Sequence, residues 1–325
     1  MNRLFLLFSI GLIGLVFQSC FIHSDVVQVD PTTAKSELCG ECHIHEYKEW
    51  QKSAHSRAFT SIEFKRQTDR YKIKKCLSCH IPEPIYGKKK VTARENHLNE
   101  GVNCVACHLT PDQKMGGPLF VLPAHSVSMN DEYYLKSELC GTCHEEHFEQ
   151  WDKFEPPDSQ AKQTCQGCHM PSAERKLITE GLFQYAHWKQ DVRKHLFLSE
   201  PELQGELKDW LKVKAETLSI EKGNHPIRVE LNHRLPHAFP AGIFGFKAID
   251  LLVSIKSEYG LTLEEQITTL YAEEKKNIMP NKTYFKIFQF KKADWNKAEY
   301  IEIRINRRKS RTDYGVNLLT MHRRI

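Results

Sequence analysis

Beyond residue 220 hydrophobic and polar positions alternate, in Ile227-Arg-Val-Glu-Leu231, Ala248 to Ile255, Tyr284-Phe-Lys-Ile-Phe-Gln-Phe290 and Tyr300-Ile-Glu-Ile-Arg-Ile305. A period of two with polar partners predicts half-buried antiparallel strands. These compose a β-sandwich-like domain over 201–310. Before them, Glu200 to Thr217 reads as a helix. From about 31 to 200 the pattern breaks into short helical stretches separated by loops such as Pro82-Glu-Pro84 and Gly116-Gly-Pro118. The fold class is therefore α+β, a mainly helical N-terminal domain (35–200) followed by the strand domain. At the start, 14 apolar or small residues from Leu4 to Phe17 follow Arg3. That run is too short for a membrane span and reads as an export signal over 1–19.

Composition adds one unusual feature. With 325 residues, 40% hydrophobic and 27% charged, the chain suits a globular protein of about two domains, but it carries 11 cysteines. Ten of them fall in five C-x-x-C-H motifs: Cys39, Cys42 and His43; Cys76, Cys79 and His80; Cys104, Cys107 and His108; Cys140, Cys143 and His144; Cys165, Cys168 and His169. Cysteines three apart share one face of a helical turn, so their thiols can add to the two vinyl groups of one haem while the adjoining histidine reaches the iron. A disulfide or zinc framework also uses C-x-x-C pairs, but neither requires histidine after every second cysteine. The motifs therefore predict five haem c groups with their iron. Of 17 histidines, twelve remain to serve as distal ligands, against six methionines. Bis-histidine ligation, with the low potentials it gives, is the expectation.

The eleventh cysteine ends Phe17-Gln18-Ser19-Cys20, which resembles the lipobox of bacterial lipoproteins except that leucine is usual at Phe17. This predicts lipidation at Cys20, a tether over 20–34, and a periplasmic protein held by lipid to the inner or outer membrane. Ordinary cleavage near Ser19 or an uncleaved anchor are the alternatives.

The chain also repeats itself. Lys35-Ser-Glu-Leu-Cys-Gly40 recurs as Lys136-Ser-Glu-Leu-Cys-Gly141, and Trp50 recurs at the same offset as Trp151. Cys76-x-x-Cys-His-Ile-Pro82 parallels Cys165-x-x-Cys-His-Met-Pro171, which suggests two haem pairs with the Cys104 haem between them. Both tryptophans are expected to pack beside a haem.

These segments resemble multihaem c-type cytochromes related to the cytochrome c-554 group, over roughly residues 35 to 310. The marks are Cys39-Gly-Glu-Cys-His43 with Trp50 and Ser53-Ala-His55, Glu100-Gly-Val-Asn-Cys104, Ser137-Glu-Leu-Cys140, Cys165-Gln-Gly-Cys-His-Met-Pro171, Arg193-Lys-His195-Leu-Phe197 and His237-Ala-Phe-Pro-Ala-Gly242. The resemblance implies distal ligands at His55, His195 and His237, with His125 a fourth. Pro236 and Ala241 depart from the family's usual Gly and Thr around His237. For the fifth, His97 leads, with His147, His187, His225 and His233 behind it.

The formal charge of +5 becomes roughly −6 once the leader is removed and five haems add their propionates. Nucleic-acid binding is not expected. The basic tail 311–325, with Arg307 to Arg311 before it, reads as solvated or as a docking element for an acidic partner or a lipid surface. The leading functional expectation is electron carriage between other redox proteins or a quinol-linked membrane complex. A multihaem reductase of nitrite, hydroxylamine, nitric oxide or a sulfur oxyanion is the alternative, with one open iron and Tyr133, Tyr134 or His187 as proton donors. The C-x-x-C-K active haem of pentahaem nitrite reductases has no counterpart here. A haem-bearing adaptor subunit is a third reading.

Overall fold

The structure, a computed structural model, describes residues 30, 32–156, 162–198, 210–220, 223–242 and 246–325. The expected export signal, Cys20 and most of the tether lie outside the described residues. The helices are short: α1 (Ser36–Gly40), α2 (Ile44–Lys52), α3 (Ile62–Gln67), α4 (Leu77–His80), α5 (Cys104–His108), α6 (Glu138–Gly141), α7 (Glu145–Asp152), α8 (Cys165–His169) and α9 (Lys292–Trp295). Strands β1 (Met115–Gly116) with β2 (Val127–Ser128), and β3 (Ser172–Arg175) with β4 (Gln190–Arg193), make two small ladders among them. Seven longer strands follow: β5 (Leu211–Thr217), β6 (Asn224–His233), β7 (Ala248–Lys256), β8 (Thr262–Tyr271), β9 (Thr283–Lys291), β10 (Tyr300–Arg308) and β11 (Val316–Arg324). The fold is α+β.

The chain divides into two compact units, 1–61 with 71–142 and 164–197, and 62–70 with 143–163 and 198–325. The division is thus not the single boundary near 200 that the sequence suggests. Helix α7 joins the strand unit because Gln150 accepts the Ala238 N–H at 2.7 Å.

In the second unit, antiparallel sheets β11-β10-β7-β8 and β5-β6-β9 share one core. Every second residue of β6 (Ile227, Val229, Leu231) and of β10 (Ile301, Ile303, Ile305) is buried, as are Ile249, Leu251, Val253 and Ile255 of β7. Seventeen buried hydrophobic residues form this cluster. Each fully buried aliphatic side chain contributes about 1.5–3 kcal/mol, so this unit can fold on protein contacts alone. The first unit contrasts with it: its buried hydrophobic clusters hold three residues each, Ala34, Val105 and Leu109 in one and Ile85, Tyr134 and Leu139 in the other. Such a unit needs another source of buried apolar surface.

One expectation is corrected and one refined. The helix expected to end at Thr217 gives way from Leu211 on to strand β5, because Leu211, Val213 and Ala215 alternate with polar residues and pair with β6. The basic tail is a paired strand, although its arginines stay solvated, Arg311 at 70% and Arg324 at 84% exposed. Val316–Arg324 pairs with β10, and the surrounding arginines meet acids: Arg308 with Asp250 at 2.6 Å, Arg311 with Glu273 at 2.5 Å, and Arg324 with Glu299.

Candidate haem-binding site

The third and fifth motifs each form a complete short helix, α5 and α8. Asn103 and Thr164 cap them, their side-chain oxygens accepting from the N–H of Ala106 at 3.0 Å and of Gly167 at 3.1 Å. In the first and fourth, the leading cysteine sits in α1 or α6 and the histidine precedes the next helix. The second runs from a 3₁₀ turn into α4.

Two of the motif histidines have a fixed tautomer. The Nδ1 of His80 lies 2.6 Å from the Ala58 carbonyl, and that of His108 lies 2.7 Å from the Gly116 carbonyl. Nδ1 must donate to a carbonyl, which leaves the Nε2 lone pair for a metal. Burial pushes the basicity of both down, and His43 is held to about 4 by burial and then by nearby His125. Neutral imidazole is the form that binds iron.

The repeat is deeper than its sequence suggests, and its pairing differs from the expected one. Ser36 Oγ lies 3.5 Å from the Cys104 N–H, and Ser137 Oγ accepts from the Cys165 N–H at 3.1 Å. Trp50 Nε1 donates to the Val102 carbonyl, two residues before Cys104, and Trp151 Nε1 donates to the Gln163 carbonyl, two before Cys165, both at 2.7 Å. The thiols of Cys39 and Cys104 lie close enough to perturb each other, as do those of Cys140 and Cys165. The latter pairing draws Cys165 down to about 6. Cys165 is therefore the counterpart of Cys104, not of Cys76. The first repeat carries a long insertion that bears the Cys76 motif, which conceals the equivalence in the sequence.

Among the distal candidates, His125 faces His43 with ring centres 6.3 Å apart and planes at 68°. His195 faces His108 at 5.9 Å and 34°. His195 is held to about 4 by burial first and by His108 next. His55 packs on Phe197 at 4.3 Å, and Phe197 also lies edge-on to His195 at 5.9 Å. Gly101, whose φ is +61°, brings the chain so close to the His55 carbonyl that a Cβ would sit 2.2 Å from it. His237 lies 5.5 Å from His147, and His147 lies 5.7 Å from His144. Gly242, φ +83°, packs on His147 in the same loop as His237.

Four further candidates make other contacts, though His187, bonded through Nδ1 as His80 and His108 are, keeps Nε2 for a metal. The Nε2 of His97 lies 2.9 Å from the Thr33 carbonyl at an exposed position. His187 is buried with Nδ1 2.9 Å from the Phe183 carbonyl. His225 stacks on Trp295, and His233 is fully buried with Nε2 2.8 Å from the Ile278 carbonyl, both within the strand core. The sequence names Phe197 and His147 but does not show that Phe197 sits between His55 and His195, or His147 between His144 and His237, nor does it show the polar side chains that hold these loops.

Haem c fits these residues. An iron bonded to two imidazole nitrogens at about 2 Å each separates the ring centres by roughly 6 Å, and the His43–His125 and His108–His195 pairs stand at that spacing. The sparse apolar core around them suits a large flat cofactor. Cysteine pairs with adjoining histidines, two of them opposed by a second imidazole, define a multihaem c-type cytochrome. Residues 38–109 match the family described as cytochrome c554 and c-prime, and residues 90–170 match cytochrome c7 and related cytochrome c. The chain is a multihaem cytochrome of this c554/c7 kind. The matches end at residue 170, short of the full span over which the resemblance was expected. No curated protein matches the chain. Among solved structures, a penta-heme cytochrome c552 from Thermochromatium tepidum is 15% identical, with TM-score 0.61, over 91% of this chain and 100% of that one. A putative beta-galactosidase from Bacteroides fragilis (14% identity, TM-score 0.22) covers 35% of this chain and 15% of its own, and IrmA from Escherichia coli (11%, 0.20) covers 34% and 84%. Among the described residues no helix is long and apolar enough to cross a membrane.

Proposed function

We propose that this protein carries electrons through five haem c groups, one on each C-x-x-C-H motif, outside the cytoplasmic membrane and tethered there by lipid at Cys20. Haem iron supplies the one-electron ferric/ferrous couple; the chain supplies attachment, axial ligands and a low-dielectric setting. The observation that carries the reading is the opposition of imidazoles in pairs, His43 to His125 and His108 to His195. An iron held from both sides has no vacant position for a substrate, which suits transfer rather than turnover. The mutual influence of the Cys39 and Cys104 thiols, and of the Cys140 and Cys165 thiols, supports attachment points of two haems lying near each other in each repeat. The similarity to a penta-heme cytochrome supports the number five. Other redox proteins, or a quinol-linked membrane complex, are the donors and acceptors this reading requires.

The test is electrochemical. Protein-film voltammetry should show five one-electron couples and no catalytic current with nitrite or hydroxylamine. A catalytic wave with either would replace the carrier by a reductase.

A further inference from the structure

Helices α2 and α7 occupy the same positions of the repeat, and position 49 in the first corresponds to 150 in the second, one before Trp50 and Trp151. Glu49 Oε2 accepts the backbone N–H of His195 at 2.9 Å. Gln150 Oε1 accepts the backbone N–H of Ala238, next to His237, at 2.7 Å. The two anchored segments are unrelated: one follows β4 and the other follows β6. The same helix position nevertheless reaches the backbone beside a distal candidate in each unit.

The two anchors differ in charge. Arg175 of β3 grips Glu49 with both terminal nitrogens, at 2.5 and 2.8 Å, and reaches Glu46 at 2.9 Å. These three side chains are only 13–15% exposed, so water screens the group weakly. Two carboxylates face one guanidinium there. In the second repeat the counterparts of Glu46 and Glu49 are His147 and Gln150, and the Gln150 amide nitrogen donates to Glu146 at 3.3 Å.

We propose that Glu49 and Gln150 are equivalent positioning residues that clamp the backbone beside the distal ligands His195 and His237, and that the charge on Glu49 makes the two clamped haems electrically unequal. This rests on the bis-histidine reading. A hydrogen-bonded backbone fixes where an imidazole arrives at the iron. A carboxylate beside it stabilises the more positive ferric state and lowers the potential, whereas a carboxamide of the same shape does not.

The experiment uses the full haem-loaded chain, with paramagnetic resonance and potentiometric titration side by side. The unsubstituted protein comes first: without low-spin bis-histidine signals in it, the underlying reading fails before the clamp is tested. With those signals present, Glu49→Ala and Gln150→Ala are each expected to alter the low-spin signal of one haem and leave the others. Glu49→Gln, which keeps the acceptor, should restore the signal while raising that haem's midpoint potential, and Gln150→Glu should lower the potential of the other. If Glu49→Ala does not accumulate, Gln150→Ala and the two charge variants decide. Alanine spectra that superimpose on the parent, or charge variants that leave both potentials in place, overturn the proposal.

Discussion

His108 and His195 stand 5.9 Å apart between ring centres although they come from distant parts of the chain, a capped single-turn helix and the segment after β4. His108 is turned by the Gly116 carbonyl, and His195 is held through its N–H by Glu49. Removing the second imidazole should open one iron. In His195→Ala, the holoprotein is expected to gain one high-spin haem and to bind carbon monoxide at that site in the reduced state. An absorption spectrum unchanged by carbon monoxide contradicts the assignment.

The tryptophan bonds predict an asymmetry between repeats. Trp50 is 7% exposed, so Trp50→Phe leaves the Val102 carbonyl without its donor away from water and should cost about 1–3 kcal/mol. Trp151 donates at an exposed site, and Trp151→Phe should cost less than about 1 kcal/mol. Denaturant titration followed at the haem bands compares the two.

Ligation should weaken in acid, and the sign follows from the histidines. His43 and His195 are held near 4 in the fold, whereas an unfolded histidine titrates near about 6.5. The unfolded chain therefore takes up protons first, and stability falls as pH drops from about 6.5 to about 4, with no change above that window. The low-spin absorption bands, followed from pH 8 to pH 4, should be steady at first and then decline. Bands that weaken above pH 7 instead contradict it.

The two units should respond differently to loss of haem. With the ten motif cysteines replaced by serine, the strand unit keeps its seventeen-residue core and should retain β-type circular dichroism. The helical unit, with three-residue clusters, should be digested rapidly by protease. A protease-resistant helical unit would show that protein contacts suffice there.

Much of this was readable from the chain because covalent chemistry and burial leave local signatures. The C-x-x-C-H spacing is contiguous, and Ile301, Ile303 and Ile305 alternate as a strand buried on one face must. Strand β8 was missed because Thr262–Tyr271 has charged and polar residues at most positions and lies at a sheet edge. Strand β11 was masked by arginines whose partners lie far away in sequence. The equivalence of Cys104 with Cys165 was hidden by the insertion carrying the Cys76 motif, since the matching C-x-x-C-H-x-Pro strings pointed to Cys76. Distal histidines are the hardest class, because nothing local separates His125, opposed to His43, from His97, whose Nε2 is engaged by a carbonyl.

The central claim is that this chain holds five haems ligated on both sides by histidine. Paramagnetic resonance of the oxidised protein, with haem counted by pyridine haemochrome, tests it most directly. Five haems per chain with five equivalents of low-spin ferric signal is the predicted result, and a high-spin signal that shifts on adding nitrite or hydroxylamine would contradict it.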